Sequence, residues 1–237
     1  MLFLSFQKIS RAFLVFCLFC FLSASAFAAA PSISSLTSPN GQWARASSIL
    51  MSVEFSEATG FIYSVDKAPD TIPDEASATL VTSGRNISLG SKADGEYWFH
   101  VRAKTSSGLS DAAHWNIKVD NSPAGRPENV QSIAKEDGTA YLEWSAPKDL
   151  SGIVGYSVYR SLYRGIKDEQ TGVMNDFTPR DRGVVVVADK ITGMSLADTN
   201  IIVGKGRPYF YRIQAFDGAG NPGVLTGVVT VRTLSLC

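Results

Sequence analysis

From Pro31 onward, apolar side chains return at every second position in short runs, and Gly, Pro, Asn, Asp and Ser separate the runs. Ile49, Met51, Val53 and Phe55 make one such run, and Phe61, Tyr63 and Val65 make the next. Trp115, Ile117 and Val119 continue the pattern, as do Ala140, Leu142 and Trp144, and then Tyr156 and Val158. A period of two turns successive side chains to opposite faces of a strand, so each run predicts a strand with one buried face. No stretch keeps the three-to-four spacing of a long amphipathic helix. The expectation is an all-β protein.

The alternation breaks at Asp120-Asn121-Ser122-Pro123-Ala124-Gly125-Arg126-Pro127. Two prolines there disfavour any hydrogen-bonded ladder, so 121–127 reads as a short, stiff linker between units at 31–120 and 128–233. The units repeat. Tyr97, Phe99, Val101 and Ala103 return as Tyr209, Tyr211, Ile213 and Ala215, which is 112 residues on (97 to 209), while Tyr63-Ser64-Val65 returns as Tyr156-Ser157-Val158, 93 on (63 to 156). The difference, 112 less 93, is a net insertion of 19 residues in the second unit. The polar stretch 165–183 is its expected place, and a loop of that length is commonly functional or mobile.

The first thirty residues follow a different logic. Lys8 and Arg11 precede the apolar run Ala12 to Leu22, and Ala26-Phe27-Ala28 follows it. Charged, apolar and small-residue regions in that order predict a cleavable secretory signal peptide over 1–28, with an uncleaved anchor as the alternative. The run falls short of the roughly 20 apolar residues that span a bilayer. Cys17 and Cys20 lie within this segment behind Phe16 and Phe19, which argues against lipidation. The whole chain has 22 basic and 22 acidic residues; without Lys8 and Arg11, 20 basic residues face 22 acidic ones, a net charge of −2. No basic surface invites nucleic acid. Only Cys237 remains of three cysteines, so the exported protein has to rely on hydrophobic cores rather than disulfides.

Several of these residues carry a family resemblance. Tyr209 to Ala215, followed by Asp217-Gly218-Ala219-Gly220-Asn221, resembles the F strand and F–G turn of bacterial fibronectin type III domains. Leu142-Glu143-Trp144 with Ala146-Pro147 resembles their B strand, and Ser151-Gly152-Ile153 leading into Gly155-Tyr156-Ser157-Val158-Tyr159-Arg160-Ser161 their C strand. The first unit is similar to bacterial Ig-like repeats through Asp66 to Thr71 and Gly95 to Ala103. The resemblance implies two tandem Ig-like/fibronectin type III-like Greek-key β-sandwiches, a fold used for spacing, adhesion and accessory binding. It also implies corner tyrosines at Tyr97 and Tyr209, and Trp144 between the sheets.

Candidate chemistry is sparse. There are two histidines, and neither nucleophile-elbow, zinc-protease, phosphate-loop nor dinucleotide motifs occur. Catalytic residues and cofactors are therefore expected to be absent. If Phe99 and Val101 face the core, Trp98, His100 and Arg102 face outward, and a hairpin near Ser107 sets His114 opposite His100. That pair reads either as solvated strand histidines or as two of the ligands of a transition metal. Trp98 with Arg102 can stack on a sugar or anchor a protein partner, unless a loop or the second unit covers it. Asp217, Asn221 and Asp149 read as a hydrogen-bonded turn or as an oxygen-rich calcium site. Lys167, Asp168, Glu169, Asp176, Arg180, Asp181 and Arg182 make the insertion a charged rim loop, and Asn86-Ile87-Ser88 fits a glycosylation acceptor. The expected function is that of an exported, non-catalytic adhesion, interaction or spacer protein, partnered by a protein or glycan at the cell surface. A carbohydrate-binding accessory role through Trp98 is the alternative, and a hydrolytic enzyme the more distant one.

Overall fold

The computed structural model describes residues 28–201 and 206–232. The expected signal segment, its cysteines and Cys237 lie outside the described residues, apart from Ala28. Within them no helix occurs, and the regular structure is all strand.

Nine strands come from the first half: β1 (Ser32–Ser34), β2 (Trp43–Ala44), β3 (Leu50–Glu54), β4 (Ala58–Asp66), β5 (Thr79–Val81), β6 (Asn86–Ser88), β7 (Gly95–Thr105), β8 (Gly108–Leu109) and β9 (Ala113–Val119). They form a small sheet ordered β1-β3-β6 and a larger one ordered β2-β9-β7-β4-β5, with β8 hairpinned onto β7. Nine more follow: β10 (Glu128–Ala134), β11 (Ala140–Ser145), β12 (Ile153–Ser161), β13 (Gly165–Lys167), β14 (Met174–Asp176), β15 (Val185–Ile191), β16 (Ser195–Asp198), β17 (Pro208–Asp217) and β18 (Val229–Arg232). These give sheets ordered β10-β11-β16 and β15-β12-β17-β18, with β13 and β14 as a separate hairpin.

Each pair of sheets closes on the residues that the alternation marks. Ile49, Met51 and Val53 meet Phe61, Phe99, Val101, Ile117 and Val119 in the first core, with Tyr63, Val65, Tyr97 and Trp115 packed at its edge. Ala140, Leu142 and Trp144 meet Tyr156, Val158, Tyr211, Ile213 and Ala215 in the second. Trp144 stands edge-on to Tyr156 with ring centroids 5.4 Å apart. Tyr209 is buried, and the Tyr97 hydroxyl donates to the Ala93 carbonyl at 3.1 Å, the short backward reach of a corner tyrosine.

Hydrogen bonding sharpens the repeat. Ser110 takes the Ala103 N–H on its hydroxyl and returns its own N–H to the Ala103 carbonyl; Thr226 does both with Ile213. On this criterion Arg102 matches Arg212, 110 residues on (102 to 212), two fewer than the tyrosine alignment gives. An even shift keeps every side chain on its own face, so both alignments predict the same core.

Segment 121–127 is no free tether. Asn121 accepts the Ala46 N–H on its side chain, while Ala124 is wholly buried in the second core and accepts the Val224 N–H at 3.2 Å. The Asn221 side chain donates to the Asp120 carbonyl at 2.9 Å, a bond that joins the end of the first sandwich to the F–G turn of the second. The 165–183 insertion is ordered likewise. β13 and β14 form its hairpin, and Phe177 just beyond is buried, with its carbonyl accepting from Arg212.

Candidate functional site: the covered outer face of the first sandwich

β4, β7 and β9 lie side by side, so register decides which outward side chains meet. Ser64, His100 and His114 form one row; Asp66, Trp98 and Asn116 form the next. The opposition of His100 and His114 is as expected. The openness of the face is not: His100 is completely buried and Ile62 nearly so. The cover is the segment between β4 and β5, where Pro73 is buried and accepts from Arg102 Nη1 at 3.3 Å. Arg102 Nε donates to the Ser110 carbonyl at 2.6 Å, so its guanidinium braces the cover and is turned to backbone carbonyls. Trp98 is half-buried in the second row. Of the four predicted residues the structure joins two, His100 and His114, and spends Arg102 on structure.

His100 is the centre of a relay. Its Nε2 lies 3.2 Å from Asp66 Oδ1, and its Nδ1 lies 2.7 Å from His114 Nδ1. An ionised carboxylate only accepts, so Nε2 carries a proton and one N–H is shared between the two Nδ1 atoms. Desolvation pushes the Asp66 carboxyl up, but hydrogen bonds from the Thr71 hydroxyl, the Ala68 N–H and His100 outweigh it and hold the group below its ordinary value. His114 is pushed below the usual histidine value, first by burial and then by the nearby His100, against the opposing pull of Asp70. Because the facing nitrogens already bond each other, the pair is a hydrogen-bonded strut. Of the two histidines read as solvated, His114 is exposed as expected, whereas His100 is buried behind the cover and bonded on both ring nitrogens.

The other predicted cluster gains a member. Asp149 and Asp217 each present a carboxylate oxygen within 4.8 Å of the other and of Asp120. Asn221 braces the cluster, its amide N–H groups donating to Asp217 Oδ2 and to the Asp120 carbonyl. The two turn glycines work differently: Gly220 takes φ +85°, whereas Gly218 lets β17 approach the Ser151 carbonyl, which an added Cβ would meet at 2.4 Å. Asp120 was hidden in the sequence because it sits in the junction segment, 97 positions from Asp217 (120 to 217).

Comparison with known proteins agrees with the fold. No family model matches the chain. Over 164 residues, 66% of its length, it is 27% identical to chitinase A1 of Niallia circulans, and it spans only 20% of that protein. Titin domains A168-A170 superpose with a TM-score of 0.54 at 15% identity, covering 86% of this chain and 66% of theirs. The chicken CNTN1 FN1-FN3 domains reach 0.49 at 13% identity, covering 87% and 68%. The fibronectin(III)-like modules of Clostridium thermocellum CbhA reach 0.43 at 11%, covering 86% and 95%. By strand order and by the likeness to the titin domains the chain has a fibronectin type III-like, Ig-like β-sandwich fold in two tandem copies.

Proposed function

We propose that the protein is an exported, non-catalytic module that spaces or joins larger partners at the cell surface. The observation that carries this reading is the junction. Two sandwiches in tandem are tied by Asn221 to Asp120 and by the burial of Ala124 in the second core, a build suited to holding attached groups at a set separation. Export is supported by the order of charged, apolar and small residues over 1–28. No helix among the described residues is long and apolar enough to cross a membrane.

The match to part of a chitinase favours a second reading, an accessory module that holds a glycan through the half-buried Trp98. Pelleting with insoluble chitin, together with a glycan array, separates the two. A spacer gives no saturable glycan binding and no difference on Trp98→Ala. An accessory module gives binding that Trp98→Ala abolishes while the unfolding curve is unchanged. Substrate turnover lost through a single side-chain change would overturn both.

A further inference from the structure

We propose that Asp120, Asp149 and Asp217 form a calcium site that locks the junction between the two sandwiches. Asp120 immediately follows β9 in the first sandwich, Asp149 lies in the turn between β11 and β12, and Asp217 is the last residue of β17. One oxygen from each lies within 4.8 Å of the others, so three acidic groups from two domains converge on one point.

Three observations go beyond an acidic cluster. Asp120 and Asp217 have no solvent exposure, and Asp120 Oδ2 is buried without a hydrogen-bond partner, although Oδ1 of the same group accepts the Ser122 N–H at 3.1 Å. A buried carboxylate oxygen left unpaired is strongly unfavourable unless something positive meets it. Among the described residues no Lys or Arg pairs with any of the three aspartates. The surroundings instead fix the carboxylates in place. Ser151 donates its N–H and hydroxyl to Asp149 Oδ1, and the N–H groups of Ala219 and Asn221 converge on Asp217 Oδ1.

The donor set selects the ion. All three ligands are oxygen, with neither nitrogen nor sulfur in the cluster, which points to a hard cation. Ca2+ accepts irregular sets of 6–8 oxygens at roughly 2.3–2.6 Å, so a single ion bridges oxygens up to about 5 Å apart, whereas Mg2+ requires a tighter octahedron near 2.0–2.1 Å. Water and turn carbonyls complete the shell. Bound calcium would turn mutual repulsion at the junction into a tie between the domains, and this holds whatever the module joins.

Purified protein stripped with EGTA tests this directly. Calorimetric titration with CaCl2 alone should show one saturable site per chain, millimolar Ca2+ should raise Tm by several degrees, and it should slow proteolysis within 121–127. Asp120→Asn should abolish binding. Asp149→Asn, at a half-exposed turn that does not endanger folding, should weaken it at least tenfold. Absence of saturable uptake by the wild type, or uptake that Asp149→Asn leaves unchanged, would overturn the site. An equal response to MgCl2 would overturn the assignment of calcium, and binding without protection of 121–127 would overturn the lock.

Discussion

Asp198 shows how much a single side chain can organise. It is almost fully buried at the end of β16, and its Oδ2 accepts from the Tyr211 hydroxyl at 2.9 Å and from Arg160 Nη1 at 2.6 Å. Burial, then the charge of Asp198, drives the Tyr211 phenol far above its ordinary value, so it serves as a permanent donor. Asp198→Ala leaves the buried Tyr211 hydroxyl without its acceptor and the half-buried Arg160 with the Asn200 carbonyl, and should cost about 3 kcal/mol. Tyr211→Phe keeps the ion pair and should cost about 1–2 kcal/mol. Urea midpoints of the two variants check that order. His114 supplies a pH dependence. Its folded value lies below 6.5, so the unfolded chain binds the extra proton first. Stability from this group is complete above pH 6.5 and is lost as the pH falls through the window beneath it. Thermal scans between pH 7.5 and 5 should show that loss in the wild type and a flatter profile in His114→Gln.

At the level of elements, both sandwiches use the same device on different material. The segment between β4 and β5 in the first sandwich, and that between β12 and β15 in the second, folds back over the outer face, and an arginine of β7 or β17 receives it: Arg102 holds Pro73, and Arg212 holds Phe177. Both arginines also bond a carbonyl of the following segment, at Ser110 and Thr226. The 165–183 insertion is therefore anchored through an apolar side chain, with its charges at the rim. Phe177→Ala should remove about 3–5 kcal/mol of packing and free the hairpin. Hydrogen exchange should then rise across β13 and β14 while β11 and β17 stay protected. Mixed charge made this stretch resemble a solvated loop; Phe177 is the residue that argues otherwise, and one apolar residue in a polar stretch is a weak signal.

Over the whole molecule the question is whether two domains move as one. Asn221 links positions 101 apart in sequence, donating to Asp120 from a fully buried amide. Asn221→Ala should leave both cores intact but loosen the junction. Limited proteolysis should cut 121–127 faster, and small-angle scattering should show a broader distribution of distances, while the aromatic circular dichroism of each sandwich is unchanged. The spacer reading under Proposed function predicts that this variant loses reach control without losing folding.

Alternation determined a great deal without any coordinates. Phe61, Val101, Ile117, Leu142, Val158 and Ile213 occupy the cores because a strand with a period of two can bury only one face, and that constraint is local to each strand. Register between β7 and β9 followed from the hairpin, so His100 opposite His114 was readable too. Tertiary structure alone decided what covers the other face and what meets at the junction. The burial of His100 depends on where the 67–78 segment folds, and the convergence of Asp120 with Asp149 and Asp217 depends on how one domain docks on the next. Both are set by contacts between residues far apart in the chain, and a pattern that repeats every two residues carries no information about them.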